Sequence, residues 1–394
     1  MKEVYYIDGV RTPIGRMGGG LSRFRPEELA AFALRGLKER MTIDPALVDD
    51  IIVGHACTNN AAVNIGRWAT LMAGFPLSVP SQTVERQCGS ALQTINTAAA
   101  NIMAGFGDVY VAAGCESWSR QPYMMERQEA PFSLAPPAWI VRQTGPDEST
   151  NIAMGIIAET LAEEFSISRE EQDRFGLRSQ ELALKAIKDG LFKDEIVPVS
   201  IPQKKGDPVI FDTDEHPRAT TMEKLAALRP AFKKDGTVTA GSSSGMNDGG
   251  VAVLMMSADR AKELGVKPKA RFIGSALGAR EPKYMGIAPV IACEKVLKNS
   301  GLRLEDMSVV ECNEAFASQT LAVMKLLEKN GHKVIPELWN PHGGAIAFGH
   351  PNGMSGGRLA IAAVNELHRT GGRYGLVTLC IGGGQGIATI FERL

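Results

Sequence analysis

With 394 residues, 44% of them hydrophobic, and a formal net charge of −1, the chain can bury a large core and is expected to divide into roughly two or three domains. Near-neutrality leaves no basic field to hold nucleic acid or an anionic membrane, so small molecules and copies of the chain are the expected partners. No run approaches the roughly 20 apolar residues of a membrane span, and six scattered cysteines without a CxxC pair predict a cytoplasmic protein with free thiols and no bound metal.

Along the chain, short strands alternate with longer helices. Strands are expected at 4–7, 50–53, 108–113, 271–273, 309–311 and 376–379, with helices between most of them, which is an α/β rhythm. After Cys88, the residues Ala91, Leu92, Ile95, Ala98, Ala99, Ile102 and Met103 keep the 3.6-residue spacing of a helix that Gly105 stops. From Ser90 a helix, a glycine turn and a strand lead to Cys115; from Ser355 the same series leads to Cys380, 25 positions on in both cases. The strand at 49–54 likewise has a partner at 307–312. Two similar halves facing each other about a pseudo-twofold axis are therefore expected. Residues 118–247, rich in Pro, Gln, Glu and Lys with isolated helices such as 169–190, break the rhythm and read as an excursion from the first half. The halves would then be 1–117 with 248–267, and 268–394.

Cys88 lies in "QCGSALQ" (87–93), at the mouth of the expected helix. There the free N–H groups and the positive end of the helix dipole favour a thiolate, and Gly89 would let a substrate approach the backbone. The alternative is a buried cysteine packed as a small hydrophobe. A nucleophile needs a base. His350, in the flexible stretch "NPHGGAIAFGHPNGMSGGR" (340–358), is the candidate; His342 competes with it, and neither histidine has metal-ligand spacing to a third ligand. In "CIGGGQG" (380–386) a cysteine ends a buried strand, and the glycines after it expose N–H groups suited to an oxyanion hole.

Together and in this order, "QCGSALQ", "NEAFA" (313–317), "HGGAIAFGHPNGMSGGR" and "CIGGGQG" resemble the thiolases, a family of acetyl-CoA acetyltransferases and 3-ketoacyl-CoA thiolases. The likeness spans essentially the whole chain. It implies the thiolase fold, an α/β architecture of five layers, α-β-α-β-α, from two similar halves plus a loop domain (118–247) over coenzyme A. It implies that Cys88 is the acylated nucleophile, His350 its base, and Cys380 the acid/base for the α-proton of the second acyl group. Asn313, holding a water with His350, would form one oxyanion hole; the backbone N–H groups of Cys88 and Gly382 would form the other. For coenzyme A the resemblance points to Arg218, Ser244, Met154 and Phe232, with Ala315, Phe316 and Met285 lining the acyl end. Coenzyme A is then substrate and product, with no tightly bound cofactor, and a homodimer or homotetramer is implied. The implied reaction is thiolytic cleavage of a 3-ketoacyl-CoA or its reverse, a Claisen condensation. Acetoacetyl-CoA and acetyl-CoA are the first expected substrates, and medium- or long-chain 3-ketoacyl-CoA of β-oxidation the alternative. The residue types suit the chemistry: sulfur-to-sulfur acyl transfer exchanges one thioester for another, and the enolate then needs a base and preorganised donors.

Three residues depart from the family pattern. Ala153 stands where biosynthetic members often carry histidine, Phe348 where leucine is usual, and Asn352 follows the His-Pro pair where an aliphatic residue is common. The stretch 121–155 is also hard to match to the longer tetramer-forming loop. "GMSGG" (353–357) and "GSSSG" (241–245) fit the G-x-S-x-G elbow of a serine hydrolase, although neither Ser355 nor Ser244 follows an apolar strand. An acyl-CoA-binding protein without turnover would have lost a catalytic group, whereas Cys88, Asn313, His350 and Cys380 are all present.

Overall fold

The computed structural model describes residues 1–59, 61–128, 130, 132 and 136–394. Part of the 121–155 stretch (Glu129, Pro131, Ser133, Leu134 and Ala135) thus lies outside the described residues. The first half contains the strands Val4–Arg11 (β1), Asp50–His55 (β2), Ser81–Val84 (β3), Val109–Ser117 (β4) and Asn247–Ser257 (β5), with the helices Pro26–Arg40 (α1), Ile65–Met72 (α2) and Ser90–Ala104 (α3). The helices Met154–Glu164 (α4) and Arg169–Lys188 (α5) lie in the excursion. The second half contains Ala270–Ala279 (β6), Met307–Cys312 (β7), Tyr374–Ile381 (β8) and Gln385–Arg393 (β9), with the helices Ala288–Ser300 (α6), Ala317–Lys329 (α7) and Asn352–Thr370 (α8).

The strands pair in the order β7-β8-β9-β6-β1-β5-β4-β2-β3. Read outward from its centre, this path repeats itself. β1 and β6 meet through only two residue pairs, Tyr5 with Arg271 and Tyr6 with Ala270. On one side β1-β5-β4 is antiparallel and β4-β2-β3 parallel; on the other β6-β9-β8 is antiparallel and β8-β7 parallel. A parallel bridge from Val310 to Trp339 stands where β3 stands in the first half. Helix α1 covers β4 and β5 from outside, α6 covers β6 and β9, and α3 and α8 lie between the two sheets against each other. This gives the five layers, helix-sheet-helix-sheet-helix.

Burial explains why the two inner helices stay there. α3 buries nine of its fifteen residues and α8 thirteen of its nineteen, with Leu92, Ile95, Ile102, Leu359, Ile361 and Val364 sharing one core with Val253, Val377 and Leu379. Each ends at a glycine in the left-handed region, Gly105 with φ 82° and Gly371 with φ 71°, where glycine carries no Cβ penalty. Their crossing is close: a Cβ on Gly356 would lie 2.6 Å from the Leu92 backbone nitrogen. That contact sits four residues after Cys88 and six after His350, so it draws the start of each helix toward the other. Gly356→Ala must therefore push the central helices apart. The expected cost is about 1–3 kcal/mol, as for overpacking elsewhere, read as a lower urea midpoint; an unchanged midpoint would show that the helices can separate freely.

Candidate active site

Cys88 does not lie in the helix itself. Gln87–Gly89 makes a single 3-10 turn, and α3 begins at Ser90. Gln87 holds φ 44°, uncommon for a residue with a Cβ and a mark of a backbone fixed by its surroundings. The turn is closed by Ser90, whose Oγ donates to the Gln87 carbonyl at 2.7 Å and accepts from the Arg86 N–H at 2.9 Å. A Cβ on Gly89 would lie 2.6 Å from Cδ1 of Ile381, so glycine lets the turn press against the end of β8.

Three groups from the second half surround the Cys88 sulfur. The Asn352 amide donates to Sγ at 3.1 Å. The Gly382 backbone N–H is directed at the same sulfur, and the Cys380 thiol is close enough to feel its charge. Burial pushes the Cys88 thiol up, and the Asn352 bond, the Arg142 cation and the Gly382 N–H pull it back in part. Burial thus favours the thiol over the expected resting thiolate. Cys380, at the end of β8, is also pushed up, first by burial and then by Cys88.

His350 is fixed from three sides. Its backbone N–H donates to the Gly245 carbonyl and to Oδ1 of Asn247, each at 3.1 Å. Ser355 donates its one hydroxyl proton to the Pro351 carbonyl at 3.0 Å, so its oxygen accepts from His350 Nδ1–H at 2.6 Å. That network assigns the tautomer and leaves the Nε2 lone pair facing Asn313, whose Nδ2 lies 3.3 Å away. Burial, with Arg358 adding to it, lowers the imidazole to about 4, so it is neutral at neutral pH. Asn313 is wholly buried, its backbone N–H bonded to the Thr378 carbonyl at 3.0 Å; its Oδ1 has no hydrogen-bond partner among the described residues. Beneath it, Glu314 accepts from Ser179 Oγ at 2.6 Å and Asn340 Nδ2 at 2.8 Å, while Asn340 clamps the end of β7 through both the N–H and the carbonyl of Cys312, each at 2.8 Å. These anchors hold Asn313 rigidly.

The residues assigned to coenzyme A form a second group beside the first. Phe232 meets Phe316 edge-on at 5.8 Å, and the Phe232 ring packs over Gly155, next to Met154. The Ser244 N–H donates to the Ala315 carbonyl at 3.0 Å. Met285 is buried in one apolar cluster with Ala315, against which Met154 and Phe316 pack. Arg218 stands apart on the surface, where its guanidinium meets His216 Nε2 at 3.3 Å. Phe348 does not join either group: it is buried against Phe192 at 5.3 Å, with the Arg358 guanidinium 5.6 Å from its ring.

Other candidates fall away on geometry. His342 pairs with Glu366 at 2.7 Å and with Arg369. Ser355 is buried inside α8 as a hydrogen-bond partner of the base; in 241–245 the central serine is Ser243, whose Oγ donates to the Thr239 carbonyl at 2.7 Å, and neither it nor Ser244 has a histidine bonded to it among the described residues. Sequence reasoning treated Asn352 only as a departure and Ser355 only as a rival nucleophile; both touch the site. Trp118, whose Nε1 donates to Asn352 Oδ1 at 2.8 Å, was missed.

Comparison with known proteins agrees with this arrangement. The family model described as thiolase, N-terminal domain, matches residues 4–259, and that described as thiolase, C-terminal domain, matches 266–393. A 3-oxoadipyl-CoA/3-oxo-5,6-dehydrosuberyl-CoA thiolase of Escherichia coli is 45% identical, with 100% of each chain covered. The acetyl-CoA acetyltransferase of Bacillus anthracis superimposes with a TM-score of 0.94 at 42% identity, covering 100% of this chain and 99% of that one. Human mitochondrial 3-ketoacyl-CoA thiolase in complex with CoA gives 0.92 at 38% identity, covering 100% and 98%. Two matched domains spanning nearly every residue, and full-length relatives well above 30% identity, place the chain in one family of acyltransferases: it is a thiolase.

Proposed function

We propose that Cys88 carries the acyl group between coenzyme A and a second acyl-CoA, and that the acyl group is short, with acetoacetyl-CoA and acetyl-CoA as the pair. The Cys88 sulfur, held by Asn352 and Gly382 beside Cys380, with the His350–Asn313 pair at the start of the same helix as Asn352, supports this reading. His350 Nε2 takes the Cys88 proton as sulfur attacks the thioester carbonyl; the Cys88–acyl bond forms, the carbon–sulfur bond to coenzyme A breaks, and the proton passes to the departing thiolate. Both partners are neutral at rest, so the proton moves with the attack. In cleavage Cys380, as a thiol, supplies the proton to the carbanion that leaves; in condensation Cys380 first gives its own proton to water, the resulting thiolate takes the α-proton, the carbon attacks acyl-Cys88, and the departing Cys88 thiolate takes a proton back from water through His350. The N–H groups of Cys88 and Gly382 suit one developing oxyanion, and Asn313 with His350 the other.

In this reading residues 118–247 cover coenzyme A, with Arg218 at the nucleotide end and Met154, Phe232, Ser244, Ala315, Phe316 and Met285 along the pantetheine and acyl group. The buried packing of Met285 with Leu161 and Ala315 supports a short acyl chain. A homodimer or homotetramer is part of the proposal, supported by the end strand β3 and the exposed Trp68, Leu71 and Leu77 near it. Six unpaired thiols suit a reducing cytoplasm, and no helix among the described residues is long and apolar enough to cross a membrane.

One observation favours a second reading, an acyl chain ending in a carboxylate. The Arg142 guanidinium binds the Ala56 carbonyl at 3.0 Å, Gln87 Oε1 at 2.9 Å and Cys57 Sγ, stacks over Trp118, and among the described residues has no carboxylate within ion-pair reach. It lies near enough to Cys88 to act on its charge. The Escherichia coli relative is named for such substrates.

Cys380→Ala is expected to keep transfer of acetyl from acetyl-CoA to Cys88 but to lose α-proton exchange with deuterated water and carbon–carbon chemistry by at least about 10²-fold; unimpaired condensation would remove Cys380 from its role. CoA-dependent cleavage compared from acetoacetyl-CoA to long-chain 3-ketoacyl-CoA should fall steeply with length, and a flat profile would overturn the short-chain assignment. Should 3-oxoadipyl-CoA be cleaved, Arg142→Gln will cost it at least about tenfold more in kcat/KM than it costs acetoacetyl-CoA; equal losses would remove the carboxylate reading. Finally, His350 titrates at about 4 when folded and near 6.5 when unfolded, so the unfolded chain binds the extra proton between those values. Stability then falls by up to about 1.4 kcal/mol per pH unit as pH drops through that window. Urea titrations of His350→Asn should lack this component; identical pH dependence in both proteins would contradict a buried neutral imidazole.

A further inference from the structure

We propose that Asn352 is a further catalytic residue, whose side-chain N–H holds the Cys88 sulfur as an anion, and that Trp118 is the positioning residue that aims it. The inference rests on Cys88 being the acylated nucleophile. The orientation of the Asn352 amide follows from its partners. Trp118 Nε1 can only donate, and at 2.8 Å it faces one end of the amide; that end must be Oδ1. The other end, 3.1 Å from Cys88 Sγ, is therefore Nδ2 and must donate. Cys88 belongs to the first half and Trp118 is the first residue of the excursion from it, while Asn352 opens α8 of the second half, directly after Pro351 and His350.

An N–H aimed at sulfur does little for a neutral thiol, which accepts weakly, and much more for a thiolate. Charge collects on Cys88 twice in the proposed cycle: as its proton passes to His350, and when acyl-Cys88 collapses after carbon–carbon bond formation and the sulfur leaves. At both moments the sulfur–carbon bond is partial and the Asn352 bond is strongest, so the donor acts on the transition states rather than on bound substrate. The bond consumes no proton and changes no oxidation state. The other groups acting on this sulfur are the Cys380 thiol, the Gly382 N–H and the Arg142 cation. Of these, only Arg142 carries charge at neutral pH in the resting site, and it is exposed to solvent. An aliphatic side chain at 352 would leave the sulfur with one donor fewer and Trp118 Nε1 without its acceptor.

The test is the pH dependence of Cys88 alkylation by iodoacetamide, followed by peptide mass spectrometry, beside single-turnover acylation by acetyl-CoA. In Asn352→Leu the alkylation profile should move to higher pH by about one unit or more, and acylation should slow by about tenfold or more, as for loss of a charge-assisted hydrogen bond. Asn352→Asp keeps the shape and the Trp118 bond but sets an acceptor against the sulfur, so its profile should move further up than that of the leucine variant. Trp118→Phe should shift the profile in the same direction by less. Circular dichroism and thermal melting identify a variant that has not folded, and the aspartate and phenylalanine variants then decide. Alkylation profiles that coincide with wild type in folded variants would overturn the proposal. A wild-type Cys88 that alkylates normally but is never acylated would instead overturn the acyl-transfer reading and leave the hydrogen bond to be judged on alkylation alone.

Discussion

The structure depends on one close crossing. α3 and α8 approach until Gly356 touches the Leu92 backbone, leaving no room for a Cβ between them. Each helix begins next to a reactive side chain, Cys88 before α3 and His350 before α8. The two are 262 positions apart, since 350 − 88 = 262, and no local propensity brings them together. What does so is burial of the inner face of each sheet against one shared pair of helices, so that the core and the site are consequences of the same packing. Gly89 repeats the device at the end of β8, where its missing side chain lets the Cys88 turn touch Ile381, the neighbour of Cys380.

That packing also decides the electrostatics. Removing water from the seam penalises every charged form, which is why the Cys88 and Cys380 thiols are pushed up and the His350 imidazole is pushed down. A site built this way rests neutral and meets charge only when a reaction creates it. The donors are already in place: the Gly382 N–H, the Asn352 amide, and the Asn313 amide, whose backbone is tied to the Thr378 carbonyl. Preorganised dipoles in a dry cleft stabilise a transient anion without reorganising, and this favours acyl transfer through sulfur.

The sequence carried the periodic parts of the fold and the chemistry-bearing residue types. The 3.6-residue spacing after Cys88 and its stop at Gly105 correspond to α3, and five of the six expected strands lie within longer observed ones, the sixth (108–113) starting one residue before Val109–Ser117. The repeat seen between 90–115 and 355–380 reappears as matching halves of the sheet. Among the strands not expected, two have a physical reason. Ser81–Val84 is a polar, half-buried end strand with no apolar alternation, and Gln385–Arg393 follows a glycine run that masks its start. The thiolate expectation failed because a helix end is visible in sequence, whereas the burial opposing it is not. Asn352 drew attention only as an odd residue beside His-Pro; its contacts with Cys88 and Trp118 span the two halves and have no local signature.

The most direct measurement of the central claim is acid-quenched incubation with acetyl-CoA, followed by proteolysis and mapping of the labelled peptide. The account predicts one acetyl group, as a thioester, on the peptide that contains Cys88. Label on another residue, or none in a folded enzyme that still cleaves 3-ketoacyl-CoA, would contradict it.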